Sequence, residues 1–151
     1  MFSYLKTNSG NSDFRQLASK LEEELRIVDG DDHAFYARLN KVESIMYAIV
    51  AYHNGQASGC GAIQQYSQDA MEIKRMYTIP EKRGLGIASQ ILRDLENWTI
   101  HLNCKKCILE TGRNQPEAIA FYKKNNYSII SNFGRYKDSE NSICFEKILM
   151  A

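Results

Sequence analysis

The chain has 151 residues, which suits one domain, and a compact chain of that length buries about two thirds of its surface. Lys plus Arg number 19 against 18 Asp plus Glu, and a formal charge of +1 argues against a general nucleic-acid binder, so any basic site must be local. The longest apolar stretch, Ser44 to Tyr52, is too short to cross a bilayer, Met1 to Gly10 has no signal-peptide pattern, and the cysteines are scattered, so a cytoplasmic protein with reduced thiols is expected.

Ser12 can cap a helix in which Phe14, Leu17, Leu21, Leu25 and Val28 form one apolar face. Asp29-Gly30-Asp31-Asp32 ends it, and a weaker helical pattern follows through Phe35, Tyr36 and Leu39. Ser44 to His53 and Gln56 to Tyr66 read as strands joined by a tight Asn54-Gly55 turn, and Ala70 to Ile79 as a third strand stopped by Pro80. After the loop Lys82 to Gly86 comes a long helix with Ile87, Ile91, Leu92, Leu95, Trp98, Thr99 and Leu102 on one face and Asn103 as its left-handed cap.

Lys106 to Thr111 is the next strand. Asn114 or Gln115 then caps a helix with Pro116 in its first turn, and Asn125-Asn126 ends it before strands at Tyr127 to Asn132 and Ser142 to Leu149. This order gives an α+β fold, a single domain over residues 1–151 whose sheet mixes an antiparallel hairpin region with one strand-helix-strand crossover.

The chemistry centres on Arg83-Gly84-Leu85-Gly86-Ile87-Ala88, placed after a strand and at the start of the long helix. Glycines let a ligand approach the main chain, and the free amides of a helix N-terminus favour an anion, so the run suits a phosphate or pyrophosphate. Lys82 and Arg83 add positive charge there. A P-loop needs Gly-Lys-Ser/Thr, and a dinucleotide fingerprint needs a third glycine where Ser89 stands, so neither pattern is met.

The run Glu72-Ile73-Lys74-Arg75-Met76-Tyr77, followed by Pro80 and the glycine loop, resembles the coenzyme A motif of the GNAT superfamily of N-acetyltransferases. Arg83, Gly86 and Ala88 meet its Arg/Gln-x-x-Gly-x-Gly/Ala pattern. A second block, Leu109-Glu110-Thr111-Gly112 with Asn114, Ala118, Ile119, Phe121, Tyr122 and Tyr127, resembles the family's following strand and helix. The resemblance implies a mixed, mostly antiparallel, V-split sheet flanked by helices, with acetyl-CoA in the cleft as co-substrate. It is strong over residues 72 to 127 and loose over the first 43.

It further implies that Met76, Tyr77, Arg83, Gly84, Leu85, Gly86, Ile87, Ala88 and Asn114 form the cofactor site, with main-chain amides near Met76 and Tyr77 binding the thioester carbonyl. Tyr122 corresponds to a tyrosine that serves the coenzyme A sulfur as general acid, although from its helical face alone it reads as a core aromatic. Glu72 is the candidate base, with Glu110 and an ordered-water relay as rivals; simple alternation puts Glu72, Lys74 and Met76 on one strand face and Ile73, Arg75 and Tyr77 on the other. Asn114 serves the pantetheine arm or caps the next helix, and Lys124 the coenzyme's phosphates or the helix end.

Cys104-Lys105-Lys106-Cys107 with His101 lacks a second ligand pair, so structural thiols and no metal are expected. The reading is therefore acetyl transfer to a primary amine through a ternary complex. The expected acceptor is a small cationic amine, drawn by Asp29, Asp31 and Asp32 and packed by Phe133, Tyr136 and Phe145. A non-catalytic acetyl-CoA-binding module, a peptide acetyltransferase and transfer of another acyl group are the alternatives. No nucleic-acid or membrane partner is expected, and a homodimer is compatible with the sequence.

Overall fold

The computed structural model describes residues 1–29 and 44–150. The weak helical pattern through Phe35, Tyr36 and Leu39, and the acidic residues Asp31 and Asp32, lie outside them. The elements run β1 (Phe2–Thr7), α1 (Ser12–Asp29), β2 (Tyr47–His53), β3 (Gln56–Gln65), β4 (Ala70–Thr78), α2 (Ile87–His101), β5 (Lys106–Gly112), α3 (Pro116–Lys124), β6 (Ser128–Ile130) and β7 (Ser142–Ile148). They build one seven-stranded sheet in the order β1-β2-β3-β4-β5-β7-β6, an α+β architecture as expected. Among the described strands, β4 and β5 alone pair in parallel.

β1 is absent from the sequence reading. It is an edge strand, largely exposed along its length, so it carries no apolar alternation to reveal it. Asn54 and Gly55, both at positive φ (52° and 82°), make the tight β2–β3 turn. The cap of α1 is Asn11 and not Ser12: Asn11 Oδ1 accepts from the Phe14 amide at 2.9 Å, and Ser12 is the first helical residue.

Two apolar layers sandwich the sheet. Phe14 and Leu17 of α1 pack on Ala48, Val50, Cys60 and Tyr77, while Ile87, Ile91, Leu92 and Leu95 of α2 pack on the other face with Ile49, Ile63, Met71 and Ile73. Trp98 closes the edge of that second layer, 5.3 Å edge-on from Tyr47 and beneath Lys6 Nζ at 5.0 Å. Glu96, on the buried side of α2, accepts from Tyr127 Oη at 2.8 Å and pairs with Lys147 at 3.1 Å, tying α2 to β7. Asn103 follows α2 at φ 64°, the expected left-handed cap.

β4 contains a bulge. Its register with β3 passes from Cys60 opposite Tyr77 to Ala62 opposite Lys74, so Gly61 faces both Arg75 and Met76, and Arg75 takes φ 58°. The extra residue reverses the alternation expected from the sequence. Met76 joins Ile73 in the α2 layer, whereas Tyr77 packs under α1 and Arg75 pairs with Glu22 of α1. Glu72 and Met76 therefore do not share a face, because a bulge shifts every later side chain by one step.

Candidate active site

β4 and β5 hold together only where Ala70, Met71 and Glu72 pair with Lys106, Cys107 and Ile108. Past Glu72 the strands part, which is the V-shaped split the resemblance implies, and the main chain of β4 from Ile73 to Thr78 has no strand partner on that side among the described residues. A cleft of about 460 Å³ opens there. Met76, Tyr77 and Thr78 line one wall, Asn114, Pro116, Phe121 and Tyr122 the other, and Leu21, Leu25 and Val28 of α1 the roof.

The glycine loop ends at the mouth of this cleft, where Arg83 and Ala88 line it. Gly86 is the residue before α2 and stands at φ 85°, with open space where a Cβ would be. Gly84 has the same character, and Leu85 between them is half exposed. Ile87 sends its side chain into the core, so only its amide faces outward with those of Ala88 and Ser89, which a helix N-terminus leaves without intrahelical partners.

The two basic residues of the loop are already engaged. Arg83 Nε donates to the Thr78 carbonyl at 2.9 Å, its Nη2 meets Glu24 at 2.8 Å, and its guanidinium lies 5.6 Å from the Tyr77 ring centre. Lys82 turns away to His53 Nδ1 at 2.9 Å, so it does not add charge to the cleft as the sequence reading had it. Asn114 lines the cleft without capping α3, since Gln115 holds the cap position and no side chain bonds there.

Tyr122 reaches the cleft wall from α3. Only 6% of it is exposed, and its hydroxyl makes no hydrogen bond to a described residue. Burial pushes that hydroxyl well above the ordinary tyrosine range, so it keeps its proton at neutral pH. Its ring packs against Phe121, Tyr127 and Phe145, so the core-aromatic reading and the cleft-facing one both describe part of the same side chain.

On the α1 face of the split lies a polar cluster. Both oxygens of Glu72 accept from Arg135 at 3.2 Å, and Tyr136 Oη donates to one of them at 3.3 Å. Glu72 is 4% exposed, so it is not a solvated surface charge. Glu110 accepts from Ser142 Oγ at 2.6 Å. Lys74, also buried, is pushed down to about 8, by burial first, against the pull of Glu72 and with Arg135 and Arg75 adding to the effect.

Sequence reasoning missed Arg135 because 63 residues separate it from Glu72 and no local pattern joins them. The aromatic group Phe133, Tyr136 and Phe145 is not one cluster: Phe133 and Tyr136 meet at 5.6 Å, but Phe145 sits in the core beside Tyr122. Cys104 and Cys107 are buried free thiols. Among the described residues no group of three His, Cys, Asp or Glu side chains could hold a metal ion.

The site can be tested against a long thioester carrying a diphosphate. The cleft is mostly apolar, and Thr78 Oγ1 on its wall is buried with no hydrogen-bond partner among the described residues, which suits a polar group on a slender arm. The loop at its mouth offers free amides and uncluttered backbone. These residues fit coenzyme A.

Residues 12–127 match the model of the acetyltransferase (GNAT) family. The chain belongs to the GNAT family. It is an acyltransferase that uses acetyl-CoA. This GNAT protein is 33% identical over 102 residues to a protein of Azospirillum brasilense named IAA acetyltransferase, an alignment covering 67% of each chain. A Klebsiella pneumoniae structure assigned as an acyl-CoA N-acyltransferase superposes with TM-score 0.83 at 27% identity, over 99% of both chains. A GNAT acetyltransferase of Elizabethkingia anophelis with acetyl-CoA bound shares the fold, with TM-score 0.71 at 18% identity over 98% of both chains.

Proposed function

We propose that this GNAT enzyme transfers the acetyl group directly to the primary amine of a small molecule in a ternary complex, with Tyr122 as general acid and Glu72 as base. The observation that carries the proposal is the hydroxyl of the buried Tyr122, which lies on the cleft wall, keeps its proton and bonds to no described residue. A group of that kind donates a proton to a developing anion and gains a partner in doing so.

In this reading the amides of the glycine loop and the first turn of α2 hold the diphosphate, with Arg83 beside them, and Asn114 and Thr78 flank the arm. Bound there, acetyl-CoA supplies an activated acetyl thioester. The unpaired β4 edge at Met76 and Tyr77 offers main-chain amides to the carbonyl oxygen. Glu72 and Glu110, on the α1 face, draw the acceptor in its ammonium form. Glu72 then takes the amine proton, its carboxylate oriented by Arg135 and Tyr136. Tyr122 Oη gives its proton to the sulfur as the carbon–sulfur bond breaks, and the second proton that the nitrogen loses on becoming an amide restores the Tyr122 hydroxyl.

Coenzyme A release from acetyl-CoA, followed across a panel of small amines and lysine peptides, tests the proposal. Turnover confined to small amines, with kcat about ten-fold or more lower in Glu72→Gln, supports it. Turnover of peptides alone would remove the small-molecule acceptor, and an unchanged kcat would remove Glu72 as base.

A further inference from the structure

A second cavity, of about 250 Å³, lies on the opposite flank of α1 from the cleft, lined by Arg15, Ala18, Ser19, Glu22 and Arg75. Helical spacing accounts for the two flanks. Residues 15, 19 and 22 project to one side of the core-facing stripe of Phe14 and Leu21, and Glu24 to the other.

Arg75 dominates this cavity. Its side chain is 4% exposed and, among the described residues, its ionic partner is Glu22, reached through Nη1 at 3.2 Å. Nε is closed off by the surrounding protein, and neither Nε nor Nη2 bonds to a described residue. Nη2 is therefore the end of the guanidinium fork left to pair with a carboxylate. Arg15 lines the same cavity and pairs with no described carboxylate. A buried cation with one partner is an expensive arrangement, and a second carboxylate would complete it. The neighbouring Glu22 disfavours a doubly charged phosphate and leaves room for a singly charged anion.

The position connects this vacancy to the chemistry. Arg75 is the bulge residue immediately before Met76, so their Cα atoms lie about 3.8 Å apart. Its side chain turns to α1 while the main-chain edge at Met76 faces the split. A group held by Arg75 thus lies on the α1 face that also carries Glu72 and Lys74, and its anchor is the chain neighbour of the β4 edge at Met76.

Building on the acetyl-transfer reading above, we infer that this cavity is a carboxylate subsite and that the acceptor amine also carries a carboxylate, as an amino acid does. Arg75 holds the carboxylate through Nη2, Arg15 adds charge at the rim, and the amine is left pointing at the split. The subsite turns a site expected to take a simple cationic amine into one that reads a zwitterion.

The test is a coenzyme A release assay with α- and ω-amino acids and their matched carboxamides. The expected result is at least one acid with kcat/KM about ten-fold or more above its amide, the scale of a lost charge-assisted pair. Arg75→Gln should erase that preference by lowering the acid alone. Arg75→Lys keeps the charge without the fork and should fall between. Arg15→Gln, on an exposed helix position where folding is safe, should weaken the preference by a few-fold. Equal rates for acids and amides in the wild-type protein, or equal loss of both in a folded Arg75→Gln variant, would overturn the subsite while leaving acetyl transfer standing. If no amine releases coenzyme A, the transfer reading fails instead. Calorimetry of the same acids on the protein saturated with coenzyme A then decides the subsite: heats abolished by Arg75→Gln retain it, and their absence ends it.

Discussion

Gly61 faces both residues of the β4 bulge, and a side-chain carbon on it would run into Met76 Sδ and come within 2.7 Å of Ile91 Cγ2. The missing side chain is what allows Met76 to lie between the sheet and α2 while its backbone borders the cleft. Gly61→Ala should therefore cost about 1–3 kcal/mol as overpacking and raise the KM for acetyl-CoA by displacing Met76. Urea denaturation and steady-state kinetics would measure both. An unshifted midpoint would mean that the bulge yields more easily than its contacts indicate.

Gly86→Glu should abolish acetyl-CoA binding in a folded protein, because the side chain would enter the open space before α2 and bring negative charge to a site for a diphosphate. The φ of 85° adds strain for any side chain, about 1 kcal/mol, which Gly86→Ala isolates. Calorimetry on both variants separates strain from collision. Wild-type affinity in folded Gly86→Glu would remove the loop from the cofactor site.

Tyr122→Phe should keep acetyl-CoA affinity and lower kcat by about ten-fold or more, the usual scale for losing general acid help. The ring contacts with Phe121, Tyr127 and Phe145 survive the change, so thermal stability should hardly move. Equal turnover in the two proteins would return Tyr122 to a packing role.

Lys74 makes stability depend on pH in an unusual direction. Its ordinary value of 10.5 is pushed down to about 8, so between these limits the unfolded chain binds a proton that the folded one does not. Stability from this residue therefore rises with pH across the window, and the cost of burying its charge is fully present below about 8. Lys74→Met should stabilise the fold at pH 7 by on the order of 2–3 kcal/mol, with the gain fading toward pH 10.5. Denaturant melts of both proteins across that range would test it. A constant difference would show that Lys74 titrates normally.

The glycine loop, the long helix and the β4–α2–β5 crossover were legible in the sequence because each rests on neighbouring residues, whereas the split between β4 and β5 came only with the resemblance to the GNAT family. The bulge at Arg75 was not legible, because nothing in Ile73-Lys74-Arg75-Met76 marks an extra residue; Gly61 on the partner strand was the available sign. The surroundings of Glu72 were hidden for another reason. Its partners Arg135 and Tyr136 follow a stretch of short, irregular elements, and only the folded sheet brings them to β4. The first helix was found but its cap was misplaced by one residue, since Asn11 and Ser12 are both good caps and only the geometry chooses.

Trp98 is the lone tryptophan of the sequence, and it stands between Tyr47 and Lys6, outside the lining of the cleft. Its fluorescence therefore reports on the seam where the β1–β2 edge rests on α2 and not on occupancy of the active site. Saturating the protein with acetyl-CoA should leave the emission maximum where it was, while peeling away β1 should shift it to the red, so one optical probe follows the integrity of the sheet edge through any binding experiment.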